Sequence, residues 1–297
     1  MAINPDYANQ KRICVAVTGA NGFIGKPLVE TLENIGVTVI ATARIPQSSL
    51  QLNVDVCDKA TWPNLFAKGK PSRLIHCAWG DLNNFESPIH YTKHFSNHLA
   101  FLLWCIESGI ADITVAGTCF EYGCINGQLY EDMPAQPVAA YAIAKESLRR
   151  ALEHYAKSKA FTLKWARIFF VSGDDEQEKG VFKYIKEAGE KGQQAIDLSW
   201  GEQLRDYISR KDAANFLAHF CLQDTVTGIV NCCSGEPHAM RRMIETYAEQ
   251  WPLLKLHFGK LGYRDYEPMA FWGSITKMKK VLASGMDFLQ KPNADEK

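Results

Sequence analysis

Residues Ile13 to Gly25 read Ile-Cys-Val-Ala-Val-Thr-Gly-Ala-Asn-Gly-Phe-Ile-Gly, an apolar run of strand length that breaks into three spaced glycines before helical periodicity begins. Each glycine has a mechanical role. Gly19 permits the tight turn off the strand, Gly22 lets a phosphate approach the backbone with no Cβ in the way, and Gly25 lets the helix pack closely on the sheet. The helix N-terminus that follows offers unpaired N–H groups and a partial positive charge to a pyrophosphate. Gly19, Asn21, Gly22, Phe23, Ile24 and Gly25 are therefore expected to contact a dinucleotide.

Beyond this turn, strand-length apolar runs alternate with amphipathic stretches of helix length. A helix from about Phe23 to Asn34 precedes VTVIATA, and SRLIHCA follows; helices from about Ser87 to Ser108 and Val138 to Ser158 lead to DITVAGT and FTLKWARIFF. Alternation of this kind predicts an α/β fold with a doubly wound parallel sheet of six or seven strands, a Rossmann architecture. After Gly173 the pattern loosens into short strands and helices near Val181 to Lys191, Asp212 to Leu222 and Met240 to Gln250. The expected division is a dinucleotide-binding domain over 1–172 and a smaller, mainly substrate-binding α/β lobe over 173–297, with some segments of the second half returning to the first.

Composition narrows the partners. The 297 residues carry zero formal charge and no basic run, which argues against nucleic acid. The polar opening lacks the apolar core of a signal peptide and no later run approaches ~18 apolar residues, so a cytoplasmic protein without membrane attachment is expected. The nine cysteines show no CxxC pair, which favours free thiols. His90, His94 and His98 would stack on one helix face, but no further ligand of recognisable spacing completes a metal set, so no metal is expected.

At the end of the second strand, where an unmodified adenosine ribose would meet a carboxylate, the chain reads Ala41-Thr42-Ala43-Arg44. A guanidinium there suits a 2′-phosphate, which favours NADP over NAD. Asp55-Val56, near the end of the next strand, is placed for the adenine or for a plain turn. Tyr141 and Lys145 share a helix face, and a cation near a phenol eases its ionisation, so the pair suits acid–base work. Thr118, at the carboxyl end of its strand, adds a hydroxyl for the same substrate oxygen.

The glycine turn, the strand-end hydroxyl and Tyr-x-x-x-Lys together resemble the extended short-chain dehydrogenase/reductase family, in its nucleotide-sugar epimerase, dehydratase and 4-ketoreductase group. The resemblance implies that Cys77, Ala78 and Trp79 run under the cofactor, that Asn97 is a buried helix asparagine, and that Ile168 lies behind the nicotinamide. It also implies that Tyr141 and Lys145 contact the cofactor. Trp79, Thr118, Phe120 and Phe170 would border the hexose, while Arg205 and Arg264 would meet the diphosphate of a nucleotide-sugar substrate. The long helices from Ser87 and Val138 would form a homodimer, as they often do in this family.

Departures from the family pattern narrow the reaction. Sugar-nucleotide 4,6-dehydratases carry Asp and Glu after the threonine; here stand Cys119 and Phe120, neither of which replaces that acid and base. Glu121 would point to the opposite face if the segment stays extended. Enzymes that make GDP-fucose place a basic cysteine where this chain has Phe120, and UDP-hexose 4-epimerases place a phosphate-binding asparagine where it has Phe170. With Arg44, this favours an NADP-dependent reductase acting on the C4 ketone of a nucleotide-activated 4-keto-6-deoxyhexose, similar to bacterial reductases that finish sugars for surface polysaccharides. An NAD-holding 4-epimerase is the alternative. A non-catalytic NADP sensor is another, against which the intact Thr118, Tyr141 and Lys145 set speaks.

Overall fold

The computed structural model describes residues 13–173 and 180–290. The chain runs β1 (Cys14–Thr18), α1 (Gly25–Asn34), β2 (Thr38–Ala43), β3 (Leu52–Asn53), β4 (Arg73–His76), α2 (Phe95–Glu107), β5 (Asp112–Thr118) and β6 (Gly127–Leu129). There follow α3 (Ala140–Tyr155), β7 (Thr162–Ile168), β8 (Phe170–Ser172), α4 (Gly180–Glu190), β9 (Ala195–Asp197), β10 (Leu204–Ser209) and α5 (Arg210–Leu222). The last elements are β11 (Gly228–Cys232), β12 (Pro237–Ala239), α6 (Met240–Ala248), β13 (Lys255–His257), β14 (Ala270–Gly273) and α7 (Thr276–Gln290).

Seven parallel strands form the main sheet in the order β11-β7-β5-β4-β1-β2-β3. Strand alternation divides its two faces. Val15 and Val17 of β1 pack with Leu28 and Leu32 of α1 and with Phe216 and Phe220 of α5. Ala16, between them, turns to the layer holding Phe101 and Ile106 of α2 and Leu148 and Leu152 of α3. A doubly wound sheet of this kind opens a crevice where the winding reverses, here between β1 and β4 at their carboxyl ends. Thr18, His76 and Thr118 all end strands at that edge.

A second sheet, β12-β10-β14-β6 with β8 beside β10, forms the smaller lobe. Its strands come from both halves of the chain, and β11 and α5 of the second half return to the main sheet and its core. The run FTLKWARIFF, expected as one strand, is divided: β7 ends at Ile168 and Phe170 begins β8, which pairs with β10. The long helix expected from Ser87 starts instead with a π turn over His90–His94, a wider coil found mostly in single turns and often at functional sites. Among the described residues no helix is long and apolar enough to cross a membrane.

Candidate active site

The glycine turn is compatible with a dinucleotide, since exposed Gly22 sets no Cβ before the N-terminus of α1. Gly19 has φ +72°, and a Cβ on Gly25 would sit 2.0 Å from the Gly19 carbonyl oxygen, so the start of α1 closes onto the turn only without side chains. The Asn21 side chain donates to the Ile45 carbonyl at 2.9 Å and accepts from Gln51 at 2.6 Å, tying the turn to the loop after β2. Phe23 and Ile24 are half-buried and Gly22 is exposed. Cys77, Ala78 and Trp79 continue from β4 half-buried at the edge of the crevice, and a Cβ on Gly19 would meet the Ala78 nitrogen at 2.9 Å. Ile168 is buried at the end of β7.

Thr118, Tyr141 and Lys145 come together beside this crevice. Tyr141 and Lys145 lie in the first turns of α3, and Thr118 ends β5. Burial pushes the Tyr141 phenol well above its ordinary range, with Glu121 and Cys119 adding to the rise and a hydrogen bond with the Thr118 side chain opposing it. Burial also pulls the Lys145 ammonium down to about 7. The four-residue spacing suggested a cation set against the phenol. The structure turns Lys145 elsewhere: Nζ donates to the Ala116 carbonyl at 2.8 Å and lies 4.1 Å from the centre of the Trp79 ring, against 5.9 Å from that of Tyr141. A buried ammonium takes a carbonyl and an indole face because both offer it partial negative charge.

Below Thr118 the chain does not stay extended. Cys119–Tyr122 forms a 3₁₀ turn with Thr118 as its N-cap, in a capping box with Glu121. Glu121 is consequently buried rather than pointing to the opposite face. It accepts from the Thr118 N–H at 2.8 Å, the Trp165 indole at 2.9 Å and Arg167 Nε at 2.8 Å. Cys119 is also buried, which pushes its thiol above the ordinary range. Neither group is presented as a free acid or base.

The wall facing Tyr141 is aromatic. The Phe85 ring stacks on the phenol at 4.9 Å, and Phe120 contacts Phe85 and Phe170 edge-on at 5.4 and 5.7 Å. Tyr266 stands 6.3 Å from Phe120. Trp79 sits on the other side, 6.0 Å from Tyr141 and stacked 4.3 Å from His98.

Behind Trp79 runs a buried chain that sequence reading did not anticipate. Thr18 Oγ1 is hydrogen-bonded to His76 Nδ1 at 2.8 Å, and His76 Nε2 to His98 Nδ1 at 2.7 Å. Burial lowers His76 to about 3, so this chain is neutral. The four-residue spacing of His90, His94 and His98 was the one available signal, and it suggests a shared face without revealing its partners. Among the described residues no group of three or more His, Cys, Asp or Glu side chains is arranged to hold a metal.

Several expected contacts are placed differently. Asn97 is only half-buried, and the adjoining His98 takes the buried position facing β4. Asp55 lies past β3 and its carboxylate accepts from the Cys57 N–H at 2.8 Å, as a turn aspartate does; Val56 beside it is buried. Arg44 is exposed just beyond β2. The expectation that Arg205 meets a diphosphate is corrected: it is 2% exposed and donates to the Pro268 carbonyl at 2.7 Å and Glu267 at 3.2 Å. It also lies over the Phe170 and Phe271 rings. A buried guanidinium requires such partners, and these come from its own lobe. Arg264 is exposed, paired with Glu267 at 3.1 Å.

Comparison with known proteins places the chain among relatives of known family. Residues 15–233 match the NAD dependent epimerase/dehydratase family. The chain is 31% identical over 274 residues to a dTDP-6-deoxy-L-talose 4-dehydrogenase (NAD(+)) of Aggregatibacter actinomycetemcomitans, covering 88% of this chain and 99% of that one. It is 26% identical over 211 residues to a CDP-abequose synthase of Salmonella typhimurium, covering 68% of this chain and 67% of that one. In fold it is similar to a Thermus thermophilus UDP-glucose 4-epimerase solved with NAD, at 21% identity, TM-score 0.75, and coverage of 94% and 100%. The turn after β1, the residues brought together at Tyr141 and these matches lead to one conclusion: the chain belongs to the NAD dependent epimerase/dehydratase family.

Proposed function

We propose that this protein is an oxidoreductase acting at C4 of a nucleotide-activated 6-deoxyhexose, interconverting the C4 ketone and the C4 hydroxyl. The observation that carries this reading is the wall around Tyr141. Phe85, Phe120, Phe170 and Tyr266 form an aromatic cluster beside the phenol, a surface suited to a sugar's C6 methyl group and poor for a C6 hydroxyl. The nearby groups that could break a second bond are occupied elsewhere. Glu121 is tied to Arg167, Cys119 is buried with its thiol held protonated, and both nitrogens of His90 have partners.

In the reducing direction Thr118 and Tyr141 hydrogen-bond the ketone oxygen, and the phenol gives it a proton as C4 gains a hydride. Oxidation is the reverse. The Gly19–Gly25 turn and Lys145 would hold a nicotinamide dinucleotide, which when bound would supply or accept that hydride. Arg264 is the cation proposed for the substrate diphosphate, with Glu267 and the buried Arg205 bracing it. The 4-dehydrogenase relative is named for the same bond run in the oxidising direction.

The test is paired. Nucleotide-linked 4-keto-6-deoxyhexoses, in dTDP, GDP and CDP forms, are given with reduced cofactor and its absorbance is followed. UDP-galactose with NAD is followed by chromatography. Stoichiometric cofactor oxidation in the first arm and no interconversion in the second is expected. The reverse pattern would make the protein a 4-epimerase, and silence in both with tight cofactor binding would make it a sensor.

For the cofactor, we propose NAD in place of the NADP that Arg44 suggested. The dehydrogenase relative is named for NAD(+). Titrations are expected to show NADH binding at least as tightly as NADPH. A tenfold preference for NADPH that disappears in Arg44→Ala would restore the phosphate role of Arg44.

A further inference from the structure

His90 packs edge-on against the Tyr141 ring at 5.4 Å, and both of its nitrogens are committed to groups that frame the acid–base pair. It is fully buried, at the start of the π turn before α2. Its Nδ1 accepts the Trp79 indole N–H at 3.2 Å, and its Nε2 lies 2.9 Å from the Asn84 carbonyl. An indole N–H only donates and a carbonyl only accepts, so the two contacts together require the neutral tautomer with the proton on Nε2. Burial favours that neutral form.

Both partners lead to the catalytic side chains. Asn84 precedes Phe85, whose carbonyl accepts the Tyr141 N–H at 2.9 Å. That bond matters because the N-cap of α3, Ala139, offers no side-chain acceptor, so the loop supplies one that a Ser or Asp would otherwise give. The Phe85 ring then stacks on the phenol at an interplanar angle of 21°. Trp79 lies beneath the Lys145 ammonium at 4.1 Å. The same loop is anchored at its other end, where His94 contacts Asp81 at 2.7 Å and Asp81 adopts φ 56°, a left-handed conformation uncommon outside glycine.

We infer that His90 is a positioning residue for the reaction: by accepting from Trp79 and donating to Asn84 it fixes the two aromatic surfaces, Trp79 and Phe85, against which Lys145 and Tyr141 are seated. The inference rests on Tyr141 as the proton donor of the proposed function.

The experiment compares His90→Phe, which fills the ring's space without either hydrogen bond, with His90→Gln, whose amide oxygen accepts and amide nitrogen donates at comparable separation. The readouts are kcat and KM with the active 4-keto-6-deoxyhexose nucleotide, NADH affinity by titration, and Tm. His90→Phe is expected to lower kcat roughly 10- to 100-fold, the scale of a small misplacement of a reacting group, and to weaken NADH binding as well, since Lys145 rests on Trp79. His90→Gln is expected to stay within about threefold of wild type, since it retains one donor and one acceptor. Any other ordering of the two variants overturns the inference, because a packing role would be met by phenylalanine and not by glutamine. If His90→Phe does not fold, His90→Asn replaces it: its shorter amide cannot span from Trp79 to Asn84, and the same loss is required. Tyr141→Phe is run alongside. Wild-type turnover there would remove the proton-donor reading itself, whereas an inactive Tyr141→Phe beside a fully active His90→Phe would remove only the positioning role.

Discussion

Tyr141→Phe is expected to lower turnover on the order of 10²–10⁴-fold, the usual contribution of a positioned general acid. The substitution is close to isosteric. The ring stays stacked on Phe85 and edge-on to Trp79, and the backbone N–H still meets the Phe85 carbonyl, so folding and dinucleotide affinity should be nearly unchanged. Only the hydroxyl and its hydrogen bond with Thr118 are lost. The sign of the pH dependence follows from the raised pKa. Reduction uses the protonated phenol, which persists through neutral pH, so its rate should stay level as pH rises; oxidation uses the phenolate and should climb with pH. Steady-state rates in both directions across pH, with a separate cofactor titration, check this. Turnover equal to wild type would show that another group supplies the proton.

Glu121→Ala is expected to destabilise the fold by about 3–5 kcal/mol, the scale for removing one partner of a buried ion pair. A domain is typically held by only about 5–15 kcal/mol, so much of its stability would go. Three buried donors converge on this carboxylate, from Thr118, Trp165 and Arg167. Without it Arg167, 1% exposed, keeps Glu146 at 3.7 Å and the face of Tyr122 as its nearest compensation. Loss of activity should accompany the loss of stability, because the same carboxylate closes the capping box that holds Thr118 at the end of β5. Urea unfolding of the variant and of Glu121→Gln gives the comparison. An unchanged unfolding free energy for Glu121→Ala would mean that the ion pair is replaced by water and neighbours at no cost.

The main sheet was legible because its signals are local. Alternating apolar runs reveal strands, three glycines reveal a turn with little room for Cβ atoms, and a four-residue spacing places Tyr141 and Lys145 on one helix face. Those features follow from short-range backbone sterics and helical period, which a few consecutive residues determine. The sites that were misread depend on partners distant in the chain. Arg205 is an ordinary cation in sequence, and only the loop bearing Glu267 and Pro268 turns it inward. Glu121 would point to the opposite face of an extended segment, but the turn after Thr118 folds it onto Arg167, 46 residues away. The histidines show the division most plainly. Their spacing at 90, 94 and 98 was visible, but Thr18, His76 and His98 meet only because β4 lies beside β1 with α2 packed over the sheet. Local sequence settles which dihedral angles a segment adopts; burial of whole faces against one another settles strand order, and strand order decides which buried polar group finds which partner.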